Sequence, residues 1–362
     1  MRILYGVVGE GMGHAMRSSV VLSHLFEEGH EVQIMASSRA ADYLSKRFAD
    51  VHRIHGFHII SEENRVRRTR TLFSNVFKGT KALPGQIKAY FDLTDEFEPE
   101  AVISDFESWT SLYGESHRLP VFSIDNMQII DRCTLPGEVL IGQRANFRIA
   151  KTFVKTKLPF SEYFFITSFF YPPVRKDRTA LFPPILRPEI LNVESTHGGH
   201  LLVYQTSTSH DELLKALEST GMECRIYGLR RDIDADVVEG NLRFRPFSEE
   251  TFIADLASAR GVVASAGFTL MGEAIYLRKP MLAVPLRGQF EQVLNARYLE
   301  IDGYGMAADL VDEDSLSAFV ESLPEYEESL ETYSQDGNSL LFEALDEQLD
   351  KAAAGLIELH PF

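Results

Sequence analysis

Residues 2–14 read RILYGVVGEGMGH, a β-forming apolar run that leads directly into a glycine-rich turn. In the residues that follow, up to residue 27, apolar side chains recur with helical spacing, and Gly29 then stops the helix. A strand, a glycine loop and a helix in this order are typical of the first unit of an open α/β sheet. We therefore predict an α/β fold that is built outward from this strand.

The same alternation of short apolar strands and helical segments continues along the whole chain. In the first half we predict strands at residues 2–8, 31–36, 51–60, 101–104 and 120–124. In the second half we predict strands at residues 201–205, 223–227, 242–245, 261–264 and 281–284. Short apolar strands that alternate with helices imply parallel sheets covered by helices on both faces.

The length of 362 residues exceeds what one hydrophobic core usually serves, so two domains are expected. Five prolines fall within residues 171–188, and proline favours extended chain without backbone donors, which is typical of a linker. We predict two doubly wound, Rossmann-like domains that face a cleft. Their ranges are 1–180 and 199–338, joined by a linker at 181–198 and followed by a helix at 339–362 that packs back on the first domain.

The composition excludes several classes of partner. A net charge of -17 repels phosphate backbones and anionic lipid, so nucleic-acid binding is not expected.

The only two cysteines, Cys133 and Cys224, stand far apart, which fits a reducing compartment better than a disulfide framework. We find neither a signal peptide nor a run of ~18 apolar residues, so the protein is expected to be cytoplasmic.

The glycine loop of residues 9–14, GEGMGH, departs from the common nucleotide-binding loops. A dinucleotide fingerprint needs a third glycine where this chain has His14, and the lysine of a Walker loop is missing. Gly11 and Gly13 let the backbone come close to a ligand. A histidine at the mouth of such a turn titrates in the range that suits a general base for a hydroxyl.

Two charged residues accompany His14. Asp105 directly follows a predicted strand and so lies at the same carboxyl edge of the sheet, where its carboxylate could fix the imidazole tautomer. The alternative role of Asp105 is a helix N-cap. Arg17 lies one turn after His14 on the same helical face and could contact an anionic acceptor group, the alternative being a solvated arginine.

Residues 265–296 carry the densest pattern in the chain, SAGFTLMGEAIYLRKPMLAVPLRGQFEQVLNA. Three residues at the start of a predicted helix can aim backbone N–H groups at a pyrophosphate: Gly267, Phe268 and Thr269. Glu273 lies about one and a half turns further on, and its two oxygens match the vicinal hydroxyls of a ribose. Glu291 and Gln292 open the next helix and could bind sugar hydroxyls.

The order of this segment resembles the C-terminal domain of family 28 and family 1 glycosyltransferases, including the GlcNAc transferase of peptidoglycan synthesis. Those enzymes show a glycine, a glutamate on a helix, Lys/Arg-Pro, a strand ended by proline, a Glu-Gln-like pair and Asn-Ala. The matching residues here are Gly267, Glu273, Lys279-Pro280, Pro285, Glu291-Gln292 and Asn295-Ala296. The GEGMGH loop, followed by GHEV at residues 29–32, is similar to the opening of the same families.

The resemblance implies a GT-B fold and a nucleotide-sugar donor, preferably a UDP-sugar, with no metal and no other cofactor. It makes His14 the catalytic base or an acceptor-site histidine, with Asp105 as its partner, and we expect Gly11 and Gly13 to contact the acceptor. It implies that these residues contact the donor: Thr206, Ser207, Phe247, Gly267, Phe268, Thr269, Glu273, Glu291 and Gln292. The chain departs from the family at residues 204–208, where YQTST replaces a glycine-rich phosphate loop.

A basic run at residues 65–70, RVRRTR, stands out in this acidic chain. Such a run is usually a solvated face. Arg67 and Arg68 could instead bind the acceptor, such as a lipid- or phosphate-bearing cell-envelope precursor, with peripheral membrane contact at most. The acidic stretch DIDAD at residues 232–236 superficially matches a metal-binding DXD pair, and we interpret it as a solvated turn.

Inverting transfer from a nucleotide sugar to a hydroxyl is the leading hypothesis, and three alternatives remain open. GHAMR at residues 13–17 also fits the opening of the nucleotide-sugar hydrolase of the pseudaminic-acid pathway. A nucleotide-sugar 2-epimerase would share the fold, and a non-catalytic nucleotide-sugar sensor would bind without turnover. The donor sugar, its base, the acceptor and the oligomeric state are not determined by the sequence.

Overall fold

The computed structural model describes residues 1–9, 11–54, 85–158, 161–205 and 211–359. The chain divides into two compact units by its internal contacts. The first comprises Met1–Asp125, Lys157–Phe165 and Ala344–Phe362, and the second comprises Asn126–Thr156 and Ile166–Glu343. The described ranges contain two seven-stranded sheets.

The strands of the first sheet are β1 Arg2–Val7, β2 Glu31–Ser37, β3 Val51–Ile54, β4 Ala101–Asp105, β5 Val121–Asp125, β6 Tyr163–Thr167 and β7 Thr179–Phe182. Their order in the sheet is β3-β2-β1-β4-β5-β6-β7. Strand β1 pairs in parallel with both β2 and β4, so the direction of chain progression reverses at β1. Ligands bind at such switch points in open α/β sheets.

The strands of the second sheet are β8 His200–Tyr204, β9 Glu223–Tyr227, β10 Val237–Glu239, β11 Leu242–Arg245, β12 Gly261–Ala264, β13 Met281–Ala283 and β14 Gly305–Ala307. Their order is β10-β11-β9-β8-β12-β13-β14, and β8 pairs in parallel with β9 and β12. The edge strand β10 is antiparallel to β11. Strands β12 and β13 are buried along their whole length, as expected for a parallel sheet covered on both faces.

The described α helices are α1 Met12–Glu27, α2 Ser38–Leu44, α3 Gly85–Phe97, α4 Ser108–Ser116, α5 Ile129–Arg132, α6 Arg144–Lys157, α7 Pro188–Asn192, α8 Asp211–Ser219, α9 Glu249–Ser258, α10 Phe268–Tyr276, α11 Phe290–Ile301, α12 Glu313–Glu321, α13 Leu323–Leu330 and α14 Ser339–Ala353. In the described ranges, no helix is both long and apolar enough to cross a membrane. Both cysteines are buried and unpaired, Cys224 within the core of the second unit.

The predicted α/β class is confirmed, and the structure adds four strands that the sequence pattern did not indicate, β6, β7, β10 and β14. Strand β7 lies inside the proline-rich stretch that we interpreted as the start of a linker. The prolines flank its four residues without interrupting them, so the strand can form hydrogen bonds.

The division into units also differs from the predicted boundaries. The structure groups residues 126–156 and the stretch from Ile166 onward with the second unit, whereas the sequence placed everything up to residue 180 in the first. Residues from Ala344 onward group with the first unit. Within that unit, His24 Nε2 lies 2.9 Å from Asp346 Oδ1.

Candidate functional site

The glycine loop lies at the carboxyl edge of the first sheet. Val7 is the register partner of Asp105, and Val8 N donates to Asp105 O at 3.2 Å, so the loop leaves β1 beside the end of β4. Gly9 N donates to Ser37 Oγ at 2.7 Å, and a Cβ atom at Gly9 would lie 2.3 Å from Ser37 O. Gly9 is therefore required by the close approach of β2.

Gly11 is the N-cap of α1, with a φ of 87°, a left-handed conformation that favours glycine. Gly13 is the second residue of α1. The fold explains Gly11 without a ligand, so acceptor binding by Gly11 and Gly13 stays a prediction.

The first turns of α1 carry three side chains toward one carboxylate. His14 Nδ1 lies 2.8 Å from Asp105 Oδ1. Arg17 donates from Nε to Asp105 Oδ2 at 2.8 Å and from Nη2 to Oδ1 at 2.5 Å. Ser18 Oγ donates to Asp105 Oδ2 at 2.8 Å. The expected contact between His14 and Asp105 is present, and Asp105 lies at the end of β4 rather than serving as an N-cap, which for α4 is Glu107.

The charge of Asp105 is stabilised despite its burial, with only 1% of the side chain exposed. Burial alone raises the pKa of Asp105, but attraction and hydrogen bonds from Arg17 and His14 outweigh it and hold that pKa well below the usual range. Two groups face His14 Nδ1: Asp105 Oδ1 can accept a proton from this nitrogen, whereas Arg17 Nη2, 2.6 Å away, can donate to it only when it is unprotonated. The hydrogen bond to Asp105 is the one that leaves the Nε2 lone pair available. In the described residues, no hydrogen-bond partner occupies His14 Nε2, and 17% of this side chain is exposed.

The structure changes the interpretation of Arg17. Its side chain is only 4% exposed and donates two hydrogen bonds to Asp105, so it is not a solvated arginine. Contact between Arg17 and an anionic acceptor group stays a prediction. Sequence reasoning missed Ser18 altogether. The available signal was helical spacing, because residues three and four positions after His14 lie on the same helical face.

We expect the Asp105→Asn variant to be less stable than the wild type at pH 7 by about 3–5 kcal/mol, because it removes the charge of a buried carboxylate to which Arg17 donates two hydrogen bonds. The folded pKa of Asp105 is depressed, so its stabilising contribution is present above the unfolded pKa of about 3.9 and is lost as the pH falls toward the folded pKa. Urea unfolding at a series of pH values measures this, with the exposed Asp92→Asn as control. Parallel acid profiles for wild type and Asp105→Asn would contradict the assignment.

In the second unit, Gly267 is the N-cap of α10, directly after β12, and no side chain caps this helix. Any residue can adopt the φ of -71° found at Gly267. Apart from its chain neighbours, no described atom lies within 4 Å of a Cβ atom built at this position. Asn295 Nδ2 donates to Ala266 O at 3.1 Å and holds the turn from α11. Phe268 is buried and stacks on Phe169, whereas Thr269 is half-buried. Neither conformation nor packing against the described residues explains the glycine, while an uncapped helix N-terminus suits an anion.

Glu273 points into the protein and is paired there. Arg187 donates to both of its oxygens, from Nε to Oε1 at 2.7 Å and from Nη2 to Oε2 at 3.0 Å. The Nη1 atom of Arg187 donates to Glu249 Oε1 at 2.6 Å. Ribose binding by Glu273 stays a prediction, and it requires the carboxylate to share or release Arg187.

The predicted sugar-binding pair is also engaged. Glu291 Oε1 accepts from Asn126 Nδ2 at 2.6 Å. Gln292 is buried, accepts from Leu286 N at 2.9 Å and donates to Gln289 Oε1 at 2.8 Å, so it shapes the turn before α11. Glu291 and Gln292 are adjacent at the start of α11, as expected, and their contact with a sugar stays a prediction.

Phe247 lies just beyond the end of β11, and 61% of it is exposed. Its ring packs edge-on against Tyr227, whose hydroxyl donates to Asp255 Oδ2 at 2.6 Å. An exposed aromatic ring that packs against a hydrogen-bonded tyrosine can contact the base of a nucleotide, which is the role that the resemblance implies. In the DIDAD stretch, Asp236 accepts from Arg243 Nη1 at 3.2 Å. In the described ranges, no group of three His, Cys, Asp or Glu side chains could hold a metal ion.

Four predicted residues, Thr206, Ser207, Arg67 and Arg68, lie outside the described residues. Their roles in donor and acceptor binding stay predictions.

Comparison with known proteins identifies the family to which this chain belongs. The family model described as Glycosyl transferase family 1 matches residues 1–324. The chain belongs to glycosyl transferase family 1. This glycosyltransferase is 23% identical over 328 residues to an uncharacterized glycosyltransferase of Methanosarcina acetivorans, a match that covers 84% of this chain and 85% of the relative.

A shorter match of 111 residues, 34% identical, covers 29% of this glycosyltransferase and 30% of the UDP-N-acetylglucosamine--N-acetylmuramyl-(pentapeptide) pyrophosphoryl-undecaprenol N-acetylglucosamine transferase 1 of Bacillus thuringiensis. The solved structure of the calicheamicin glycosyltransferase CalG4 matches with a TM-score of 0.67 at 16% identity, over 97% of this chain and 99% of that one. The expected GT-B fold and the enzyme class are thereby confirmed.

Proposed function

We propose that this glycosyltransferase moves a sugar from a nucleotide sugar, preferably a UDP-sugar, to an acceptor hydroxyl with inversion at the anomeric carbon. The observation that carries the proposal is the pairing of His14 with a buried, ionised Asp105, at 2.8 Å between Nδ1 and Oδ1. An imidazole held in this way keeps its other nitrogen available as a base.

The proposed reaction is a single displacement. The acceptor hydroxyl gives its proton to His14 Nε2 while its oxygen forms a bond to the anomeric carbon. The bond between that carbon and the diphosphate oxygen breaks, and its electron pair leaves with the nucleotide diphosphate. Asp105 stabilises the imidazolium that forms. Attack opposite the leaving group inverts the configuration.

The second unit supplies features that suit the donor. The uncapped N-terminus of α10 at Gly267 offers backbone N–H groups and positive potential to the leaving diphosphate, so the proposed reaction uses no metal ion. The exposed ring of Phe247 offers a surface on which the base of the nucleotide can pack. The preference for uridine is supported by the relative from Bacillus thuringiensis, whose name includes UDP-N-acetylglucosamine.

We expect UDP and a UDP-sugar to raise the melting temperature more than the dTDP or GDP counterparts at the same concentration, because the ligand with the lower Kd stabilises the folded state more. A ligand at one hundred times its Kd stabilises the folded state by about 2.7 kcal/mol.

Gly267→Val should abolish this shift in melting temperature, since the added side chain fills the space at the N-terminus of α10. Without ligand, we expect Gly267→Val to cost about 1 kcal/mol or less. Gly137 is the N-cap of a short 3-10 helix, Glu138–Leu140, and also has open space at its Cβ position, so Gly137→Val is the matched control. A chain that no nucleotide sugar stabilises would refute the donor assignment.

Once the donor is known, product analysis separates transfer from hydrolysis. Nucleotide release should depend on an added acceptor hydroxyl, and nuclear magnetic resonance should show the inverted anomeric configuration in the glycoside. Free sugar released at the same rate without acceptor would favour the hydrolase alternative, and a retained configuration would rule out single displacement.

A further inference from the structure

The side chain of Arg187 connects two helices of the second unit. Its Nε and Nη2 atoms donate to the two oxygens of Glu273 on α10, at 2.7 Å and 3.0 Å. Its Nη1 atom donates to Oε1 of Glu249, the first residue of α9, at 2.6 Å. Every nitrogen of the guanidinium is thus bonded to a carboxylate, and the two carboxylates belong to different helices.

These two helices carry the features that suit the donor. Phe247, whose exposed ring offers a surface to the base, directly precedes Ser248, the N-cap of α9. Gly267, where the helix N-terminus is open to the diphosphate, is the N-cap of α10, the helix that carries Glu273. A nucleotide diphosphate that binds at both places therefore contacts the two helices that Arg187 connects.

We propose that Arg187 is a positioning residue for the donor: by connecting α9 to α10, it fixes the spacing between the ring of Phe247 and the helix N-terminus at Gly267. The inference rests on the proposed function and adds to it a residue that touches neither the nucleotide nor the sugar. It does not require contact between Glu273 and the ribose.

The backbone that carries Arg187 is itself held in place. Asn338 Oδ1 accepts from Leu186 N at 2.9 Å, and Asn338 Nδ2 donates to Leu186 O at 2.8 Å. A Cβ atom at Gly272 of α10 would lie 2.7 Å from Pro184 Cβ, so the chain before Arg187 packs directly on this helix. Because its backbone is fixed, the guanidinium holds the two helices at a defined separation.

The two bonds of Arg187 differ in burial. The side chains of Arg187 and Glu273 are 5% and 3% exposed, so water competes weakly for the hydrogen bonds between these charged groups. The side chain of Glu249 is 34% exposed. The bond to α9 can therefore be removed at Glu249 while the buried pair of Arg187 with Glu273 stays intact.

The spacing between the helices matters for a ligand that contacts both of them. The base and the diphosphate of UDP are covalently joined, so binding of the second part depends on whether the two places lie at the distance that the ligand spans. A spacing that is fixed before binding also spares the ligand the cost of ordering the helices. Uridine and inorganic pyrophosphate each contact one place alone, so their binding does not depend on the spacing.

The test is a nuclear magnetic resonance titration of wild type and Glu249→Met with UDP, uridine and inorganic pyrophosphate. In Glu249→Met we expect the Kd for UDP to rise about tenfold and the Kd for uridine and for pyrophosphate to stay unchanged. Glu250→Met removes the same charge from the same helical turn at an exposed position and should bind all three ligands as the wild type does.

Two results of this titration would overturn the inference. One is an unchanged Kd for UDP in Glu249→Met. The other is a rise in the Kd for uridine or for pyrophosphate that equals the rise for UDP, because such a rise would indicate damage to a single place rather than a changed spacing.

Arg187→Lys separates positioning from stability. Its ammonium still compensates the charge of Glu273, so it should have a higher melting temperature than Arg187→Met. A lysine is a single point charge and cannot bond carboxylates on both helices in the planar arrangement of a guanidinium. We therefore expect the Kd for UDP to stay about tenfold above that of the wild type. An affinity that returned together with the melting temperature would show that Arg187 has a structural role only.

Hydrogen exchange in the ligand-free protein distinguishes this inference from the proposed function. Without the bond from Arg187, the backbone N–H groups of α9 and α10 should exchange faster in Glu249→Met than in Glu250→Met. If the wild type bound neither UDP nor the two fragments, the proposed function would fail, while the faster exchange would still show that Arg187 connects the helices. Equal exchange in the two variants would overturn the inference by itself.

Discussion

The His14→Ala variant should lose about 10²–10⁴-fold in kcat, the range that a positioned general base contributes, while it still binds the nucleotide sugar. The loss follows because no other described side chain at the end of β4 offers a neutral nitrogen beside Asp105. Steady-state kinetics with a saturating acceptor measures kcat, and the melting shift with donor measures binding.

The same helix provides the matched control for this variant. His24 also lies in α1 and also faces a carboxylate, with its Nε2 2.9 Å from Asp346 Oδ1. We expect His24→Ala to keep the wild-type kcat. If the two alanine variants had similar rates, His14 would not be the base. If His14→Ala lost donor binding to the same extent as turnover, His14 would be a binding residue.

A large effect on stability is also expected at Arg187. Arg187→Met removes a guanidinium that is 5% exposed and leaves Glu273, 3% exposed, without its bidentate partner. Breaking a buried pair on one side costs about 3–5 kcal/mol, because a charge stays buried without compensation. At about 2–4 °C per kcal/mol for a unit of this size, the melting temperature should fall by about 6–20 °C.

We attribute the expected loss of stability to the burial of the Arg187–Glu273 pair, because an exposed pair of the same charges contributes little. Arg260 pairs with Glu327 at 3.7 Å but is 41% exposed, so Arg260→Met should cost less than about 1 kcal/mol. Arg187→Met/Glu273→Met removes both charges and should recover most of the lost stability. Equal melting temperatures for Arg187→Met and Arg260→Met would contradict the role given to the buried pair.

The contact between His14 and Asp105 could be predicted from the sequence, because the strands that precede these residues determine where they lie. His14 and Asp105 each follow a strand of a parallel sheet, and the register that pairs Val7 with Asp105 brings them together. That contact needed only strand assignment and the adjacency of β1 and β4. The class of fold followed in the same way from the alternation of strands and helices.

Long-range partners were not predictable from these rules. Glu273 and Arg187 are 86 positions apart, and nothing in the local pattern distinguishes a buried arginine from a solvated one. The burial of Arg17 was not predicted for the same reason, because arginine is rarely buried unless it is paired. The unit boundaries differed because prolines mark extended chain, whereas the units reflect contacts between distant segments.

The two buried thiols make the protein convenient for labelling experiments. Burial raises the pKa of both Cys133 and Cys224 to about 11, so at neutral pH about one thiol in a thousand or fewer is the reactive thiolate. Maleimide dyes should therefore ignore the native cysteines and react with a cysteine introduced at an exposed position. One fluorophore on each compact unit would then report, by energy transfer, whether donor binding changes their separation.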